Sequence, residues 1–351
     1  MNHPGKELSD VLKNSGMSRK ELAIRTNVTE KHIGTVINGE RSISASFAKK
    51  LGYVFKDARY WMDLQLEYDE DQLKIQEENE ITNEEIQILT ELKNVTKYLV
   101  DNKIINNESG KVSQVIELRK FLLVSNLENI PQITYNASYR AQLAANYNIN
   151  KYVLFAWQRL CEYETENIET NISVNKDLLR SKLSDMKSMM FGDINKGIEG
   201  LQKIFAACGI KFQVVRNFVG APVQGFIKET ANNNLILCLT IRGKRADTFW
   251  FTLFHEIAHI LNDDYKSRFV DFNSVQNEIE NRADEFAKNI LIDPKKYRDF
   301  IFNDRFYKWD GIVQFAQEIQ VEPFIVLGRL QNDGLLDWSS HAEKIVKYKW
   351  A

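Results

Sequence analysis

The chain has 351 residues, 44% hydrophobic and 27% charged, with 46 Lys and Arg against 48 Asp and Glu. Sixteen Gly and five Pro are too few for a disordered, collagen-like or low-complexity polymer, and no apolar run approaches the ~18–20 residues of a membrane span. Three scattered cysteines, Cys161, Cys208 and Cys238, form no CxxC and argue against a disulfide framework, so the composition predicts a soluble cytoplasmic protein of two or three folded units.

The near-neutral total conceals a gradient. Residues 1–60 hold 11 Lys/Arg and 6 Asp/Glu, whereas residues 61–95 hold 2 Lys/Arg and 11 Asp/Glu. The basic segment has the rhythm of three short helices. Leu8, Val11 and Leu12 share one face, and Gly16 stops that helix. Ser18 is placed to cap a second helix, with Glu21 three residues on as a capping box. After a turn at Asn27, Thr29 caps a third helix with Ile33, Val36 and Ile37 facing inward, closed by Gly39. A third helix of this kind can lie in the major groove. Its candidate base-facing residues are Thr29, Lys31, His32, Thr35 and Asn38, while Ser18, Arg19 and Arg41 are candidate phosphate contacts. Gly34 is a departure in mid-helix, where glycine costs ~1 kcal/mol of helix propensity.

Farther along, the acidic stretch reads as a solvated helix or linker. Ile86, Leu89, Leu92, Val95 and Leu99, then Val115, Ile116, Leu118, Phe121 and Leu122, predict amphipathic helices between Thr82 and Leu127. Tyr139–Asn146, Lys151–Glu164 and Ser173–Met190 also read as helical. Only 210–240 has strand texture, in IKFQVV, VQGFIKE and LILCLT. The predicted class is mainly α with a small β-sheet (α+β).

The sharpest chemical signal is His255-Glu256-Ile-Ala-His259 inside ADTFWFTLFHEIAHILND, with Asp247 as a candidate cap. Residues four apart share a helical face, so both imidazoles can grip one metal ion, and Glu256 stands where a general base toward water is needed. Two core histidines are the competing interpretation, but a buried His pair beside a buried Glu is costly unless something satisfies all three. A third ligand is required, with one position left open. No third His follows, so a carboxylate from SVQNEIENRADEFAKNILIDP is expected. Glu280 suits the ligand role and Asp284, one turn later, that of a carboxylate orienting an imidazole N–H. Glu278 and Glu285 compete, but they point about 200° and 140° away from Glu280 on a helix. Ala283, Phe286, Ala287 and Ile290 form the packing face. Two imidazoles and a carboxylate suit one zinc ion per chain and hydrolytic chemistry. Tyr265, Arg242 and His341 are conceivable oxyanion partners, none of them assigned.

Two resemblances follow from these segments. HPGKELSDVLKNSGMSRKELAIRTNVTEKHIGTVINGERSIS with YWMDLQLEYD, covering about 3–75, resembles the XRE-type helix-turn-helix of HigA-like antitoxins and phage-type repressors. LTIRGKRADTFWFTLFHEIAHILND with ENRADEFAKNILIDP resembles the ImmA/IrrE metallo-endopeptidases, over about 135–340. Ala258 stands where that family often has Gly, and Asp284 where it often has Asn. The second resemblance implies a gluzincin-like site with zinc ligands His255, His259 and Glu280 and catalytic base Glu256. It also implies a substrate class, helix-turn-helix repressors or antitoxin-like proteins in mobile-element immunity, toxin–antitoxin or stress responses.

The domain layout expected is 1–75 for the helix-turn-helix, 76–190 for a helical connector, 191–310 for the peptidase and 311–351 for a C-terminal helical extension. The functional expectation is a cytoplasmic endopeptidase, nucleoid-associated when on double-stranded operator DNA, dimeric because such domains read paired half-sites. The rival is a DNA-binding antitoxin or autorepressor whose peptidase-like half senses or docks a protein without cleaving it.

Overall fold

The computed structural model describes residues 2–133, 138–141, 149–170, 172–241, 243–266, 275–303 and 305–348. Arg242 falls outside them, as do the last five residues of the helix expected over Tyr139–Asn146. Two compact units emerge, one from Met1–Ile86 with Glu108–Ile116 and the other from Gln87–Asn107 with Glu117–Ala351. Among the described residues no helix is long and apolar enough to cross a membrane. The class is as the periodicities indicate, mainly α with one small sheet.

The first unit opens with helices α1 (Pro4–Ser15), α2 (Arg19–Thr26), α3 (Glu30–Ile37), α4 (Ala45–Gly52) and α5 (Ala58–Glu80). Their boundaries follow local chemistry. Ser18 Oγ accepts from the Glu21 N–H at 3.1 Å and Thr29 Oγ1 from the His32 N–H at 3.1 Å, caps each contributing about 1 kcal/mol. Gly16 (φ 65°) and Asn27 (φ 49°) turn the chain in the left-handed region after α1 and α2. Leu8, Leu22, Ile33, Val36, Leu51 and Trp61 are fully buried and form this unit's core. The first turns of α5 join it through Trp61 and Gln65, whose Oε1 accepts from the Ile43 N–H. Beyond them the acidic helix is largely exposed, Leu66 and Leu73 included.

Gly5 carries the α1–α3 contact. A Cβ there would stand 1.9 Å from the Val36 carbonyl oxygen, a backbone atom that cannot swing aside. Gly5→Ala is expected to pry α1 from α3 and cost about 1–3 kcal/mol, read as a lower denaturant midpoint for this unit.

Next in sequence come α6 (Asn83–Glu91), α7 (Lys93–Asp101), α8 (Lys111–Leu122), α9 (Lys151–Thr165), α10 (Lys176–Ser181), α11 (Leu183–Ser188) and α12 (Ile194–Ala207). The second unit's sheet contains β1 (Ser138–Ala141), β2 (Ile210–Val214), β3 (Val223–Glu229) and β4 (Leu235–Leu239) in the order β1-β3-β4-β2. β4 runs parallel to β2 and antiparallel to β3. It is buried along its whole length, LILCL, because helices cover both faces. On one face Trp157 of α9 meets Phe226 edge-on at 5.8 Å. On the other lies α13 (Ala246–Leu261), and α14 (Val275–Leu291) packs along α13. Helices α15 (Pro294–Phe302), α16 (Trp309–Glu318) and α17 (Pro323–Asn332) complete a core that runs in sequence from Leu179 to Tyr348.

Two local expectations are corrected. Ser138–Ala141 is a strand paired antiparallel with β3, where tertiary pairing overrides the helical pattern read over Tyr139–Asn146. Asp247 does not cap α13, because the helix begins one residue earlier, after Arg245. Instead the Asp247 carboxylate accepts from the Arg245 guanidinium at 2.9–3.3 Å. All three cysteines are free and buried, and desolvation pushes the Cys161 and Cys208 thiols up from their ordinary range.

Candidate metal centre

The centre is built from two antiparallel-packed helices and the turn that follows the first. α13 is apolar on nearly every side, and its residues from Leu253 through Leu261 are buried without a break. His255, Glu256 and His259 are each 0% exposed. Polar groups reach this depth only with strong compensation. On α14, Ala283 and Ala287 are fully buried against the core and bring that helix close enough for its carboxylates to reach the imidazoles.

Glu280 Oε2 lies 3.1 Å from His255 Nε2, and Oε1 lies 3.7 Å from His259 Nε2. The two Nε2 atoms are 2.9 Å apart. One ligand atom from each of His255, His259 and Glu280 lies within 4.8 Å of the others. Three donors converging on one point from two helices is the arrangement a divalent ion requires. The other carboxylates point elsewhere. Glu278 is exposed, and Glu285 is exposed and pairs with Lys288 at 3.4 Å.

The faces of the imidazoles turned away from the cluster also have acidic neighbours. Asp284 Oδ1 lies 2.7 Å from His255 Nδ1, as the Glu280-x-x-x-Asp284 spacing suggests. His259 has a counterpart that sequence reasoning missed. Asp264 Oδ2 lies 3.5 Å from His259 Nδ1, and Arg282 Nη2 donates to Asp264 Oδ1 at 2.6 Å. Asp264 is five residues past His259, on a short turn outside the helical repeat, so no periodicity could mark it. Such carboxylates fix the ring's tautomer and sharpen its basicity toward a metal.

Glu256 differs from every other group here. Its carboxylate is fully buried, and among the described residues neither oxygen has a hydrogen-bond partner. It lies against the backbone of β3, where a Cβ added to Gly225 would stand 2.4 Å from Oε1 and 2.5 Å from Cδ. Gly225, also missed in the sequence, is therefore the residue that makes space for this carboxylate. Gly225→Ala is expected to push the Glu256 side chain aside and lower any Glu256-dependent turnover at least 10-fold. The metal content should not change, since the three atoms nearest the added Cβ all belong to Glu256 and none to His255, His259 or Glu280. Parallel rate and metal measurements check it.

The conceivable oxyanion partners separate. Tyr265 is buried in the core, whereas His341 is on the surface, with Nε2 3.3 Å from the Tyr307 carbonyl oxygen and its ring beside Trp309.

In the first unit, Ser18, Arg19, Thr29, Lys31, Asn38 and Arg41 are exposed. His32 and Thr35 are half-buried. The His32 ring packs edge-on to Phe47 at 4.9 Å, and Thr35 Oγ1 donates to the His32 carbonyl at 2.9 Å. Thr29, His32 and Arg41 line one shallow depression with Ser44, Ser46 and Lys50, the last three missed in the sequence. A Cβ at Gly34 would meet nothing within 4 Å, so no internal contact demands that glycine.

Comparison with known proteins gives two matches. A 69-residue stretch is 38% identical to Virulence-associated protein A' of Dichelobacter nodosus, covering 19% of this chain and 60% of that protein. The chain thus spans about three fifths of that relative's length. The other match falls on the candidate metal centre: residues 225–331, from Gly225 through the HExxH helix and the carboxylate helix to α17, match the Peptidase_M78 family, the IrrE N-terminal-like domain, and so make this part of the chain metallopeptidase-like.

Proposed function

We propose that the protein is a zinc-dependent endopeptidase that also binds DNA and regulates transcription by cleaving a helix-turn-helix repressor or antitoxin-like protein. The observation that carries the catalytic reading is the pairing of a three-donor cluster with an adjacent, fully buried carboxylate that has no hydrogen-bond partner among the described residues. A docking module has no use for such a group. A carboxylate with no structural partner among the described residues, set beside a cluster that would hold a metal ion, is placed to take up a proton.

The donor set fits zinc. His255, His259 and Glu280 would hold one ion, which when bound supplies Lewis-acid polarisation and lowers the pKa of water toward ~7. The chain's own residues do the rest. Asp284 and Asp264 hold the two imidazoles in one tautomer and one orientation. Glu256 takes the proton from water as the peptide carbonyl is attacked and returns it to the leaving amine. Gly225 keeps that carboxylate unobstructed. A cavity of about 380 Å³ adjoins Asp284, walled by Phe251, Thr252, Lys288, Ile325 and Arg329 among others, and offers space to a substrate side chain.

The regulatory half of the proposal rests on the capped three-helix pattern, the exposed residues of α3 and the basic balance of residues 1–60. Two copies would read two half-sites of an operator. Cytoplasmic and nucleoid-associated placement follows from that role.

The test uses purified full-length chain and the helix-turn-helix regulators encoded by its flanking genes. Cleavage at a defined bond, stopped by a chelator and restored by zinc, is expected. A chain that carries zinc yet cleaves none of them while still regulating its promoter would overturn the catalytic reading. Operator binding should weaken steeply with salt as phosphate contacts release counterions, and salt-insensitive or absent binding to its upstream DNA would remove the operator role.

A further inference from the structure

The turn that follows α13 is held by two cations, and only one of them leads to the metal cluster. Asp263 adopts the left-handed conformation (φ 60°), and its Oδ2 is paired with Lys176 Nζ of α10. Asp264 comes next. Its Oδ2 faces His259 Nδ1 at 3.5 Å, and its Oδ1 accepts from Arg282 Nη2 of α14 at 2.6 Å. Neighbouring carboxylates of one turn thus meet cations from different helices.

Burial decides what each contact can do. Lys176 and Asp263 are both partly open to solvent, and an ion pair of that kind contributes little, because water and salt screen it. Asp264 is different, since its side chain is only 6% exposed although Arg282 is largely in solvent. A carboxylate at that depth depends on fixed donors. A short, charge-assisted bond from a planar guanidinium sets both its position and its rotation. Rotation matters here. At 3.5 Å, Oδ2 stands at the outer limit of a hydrogen bond to His259, so its value to the ring depends on how the carboxylate is turned.

Arg282 follows Glu280 by two residues, about 200° round α14, and a guanidinium offers no lone pair to a metal. It therefore acts from outside the cluster. The contacts nevertheless run in a circuit: His259 to Asp264, Asp264 to Arg282, along α14 to Glu280, and from Glu280 Oε1 back to His259 Nε2 at 3.7 Å. Both helices that carry the three donors belong to it.

We infer that Arg282 is a positioning residue of the metal centre, aiming the Asp264 carboxylate at His259 Nδ1. The ring then keeps its proton on that nitrogen and presents Nε2 to an ion that Glu280 also faces. This rests on the three-donor reading of His255, His259 and Glu280, and it is independent of what the loaded centre cleaves.

Zinc affinity of the purified full-length chain, measured by competition with a chromophoric chelator, tests this. Arg282→Ala should weaken zinc binding about 10-fold, the low end of the loss caused by removing a group behind a metal-ligating imidazole. Arg282→Lys should recover part of that loss. Lys176→Ala strips the cation from Asp263 and should change affinity by less than about 2-fold, as a solvent-screened pair contributes little. An equal loss in Lys176→Ala would mean that any tether on the turn suffices, and would overturn the proposal. In an Asp264→Asn background Arg282→Ala should add nothing, because it acts through that carboxylate. Additive losses would overturn the proposal as well. Cobalt(II) in place of zinc reports ligand geometry, and its visible absorption should change in Arg282→Ala and match the unaltered chain in Lys176→Ala. Where Arg282→Ala does not fold, Arg282→Gln, which retains a shorter donor, carries the same expectations. An unaltered chain that holds no zinc would defeat the metal-centre reading itself, whereas a zinc-binding chain indifferent to Arg282 would defeat the proposal alone.

Discussion

Replacing Glu256 by Gln is expected to reduce proteolysis by about 10²–10⁴-fold while leaving bound metal at the unaltered level, the range that a positioned general base contributes. The two side chains are nearly the same size, so the pocket beside Gly225 accepts either. What changes is the ability to take a proton. Glu256 is not one of the three clustered donors, so metal content measured on the same preparation should not fall. A second readout separates this from general damage. A desolvated carboxylate without hydrogen bonds opposes folding, and a neutral amide at that position opposes it less. The metal-free Gln variant should therefore melt no lower than the unaltered chain. Undiminished cleavage would remove Glu256 from the chemistry, and a large drop in melting temperature would mean that the carboxylate has a structural duty.

The second large effect is expected at the cluster. His259→Ala removes one donor of three and leaves His255 and Glu280 as an incomplete pair, so metal content should fall from one per chain to near zero after dialysis. Stability follows the ligand. An ion that binds only the folded chain adds about 4 kcal/mol when present at a thousand times its dissociation constant. Unaltered protein should consequently show a clear rise in melting temperature on adding zinc, and His259→Ala almost none. Asp264→Asn should fall between them, with metal affinity lowered about 10–100-fold, because the residue lies behind His259 and does not join the cluster. Full metal retention by His259→Ala would dissolve the three-donor assignment.

What could be seen in advance was whatever local rules govern. Ser18 and Thr29 cap helices because an oxygen one bond from Cβ reaches the N–H three residues on, and that spacing is written in the chain. The four-residue step between His255 and His259 and the four-residue step from Glu280 to Asp284 are equally local. They bring His255 within hydrogen-bonding reach of both α14 carboxylates and His259 Nε2 to 3.7 Å from Glu280. Hidden features depended on partners far along the chain. Gly225 gains its meaning from Glu256, 31 residues later, and nothing in VQGFIKE marks that glycine as the one beneath a carboxylate. Tyr139–Ala141 reads as helix until β3 is present to pair with it. Asp247 looks like a cap in the sequence and is taken instead by Arg245, which a second contact from its guanidinium to Gln331 Oε1 at 2.8 Å holds in place.

The burial of Cys161, Cys208 and Cys238 has a practical consequence. With every cysteine sulfur sealed inside the fold and burial pushing the Cys161 and Cys208 thiols toward the protonated form, alkylating agents meet no thiolate on the native surface. The moment at which the thiols begin to react with iodoacetamide would mark the opening of the core, making the three sulfurs a built-in gauge of unfolding.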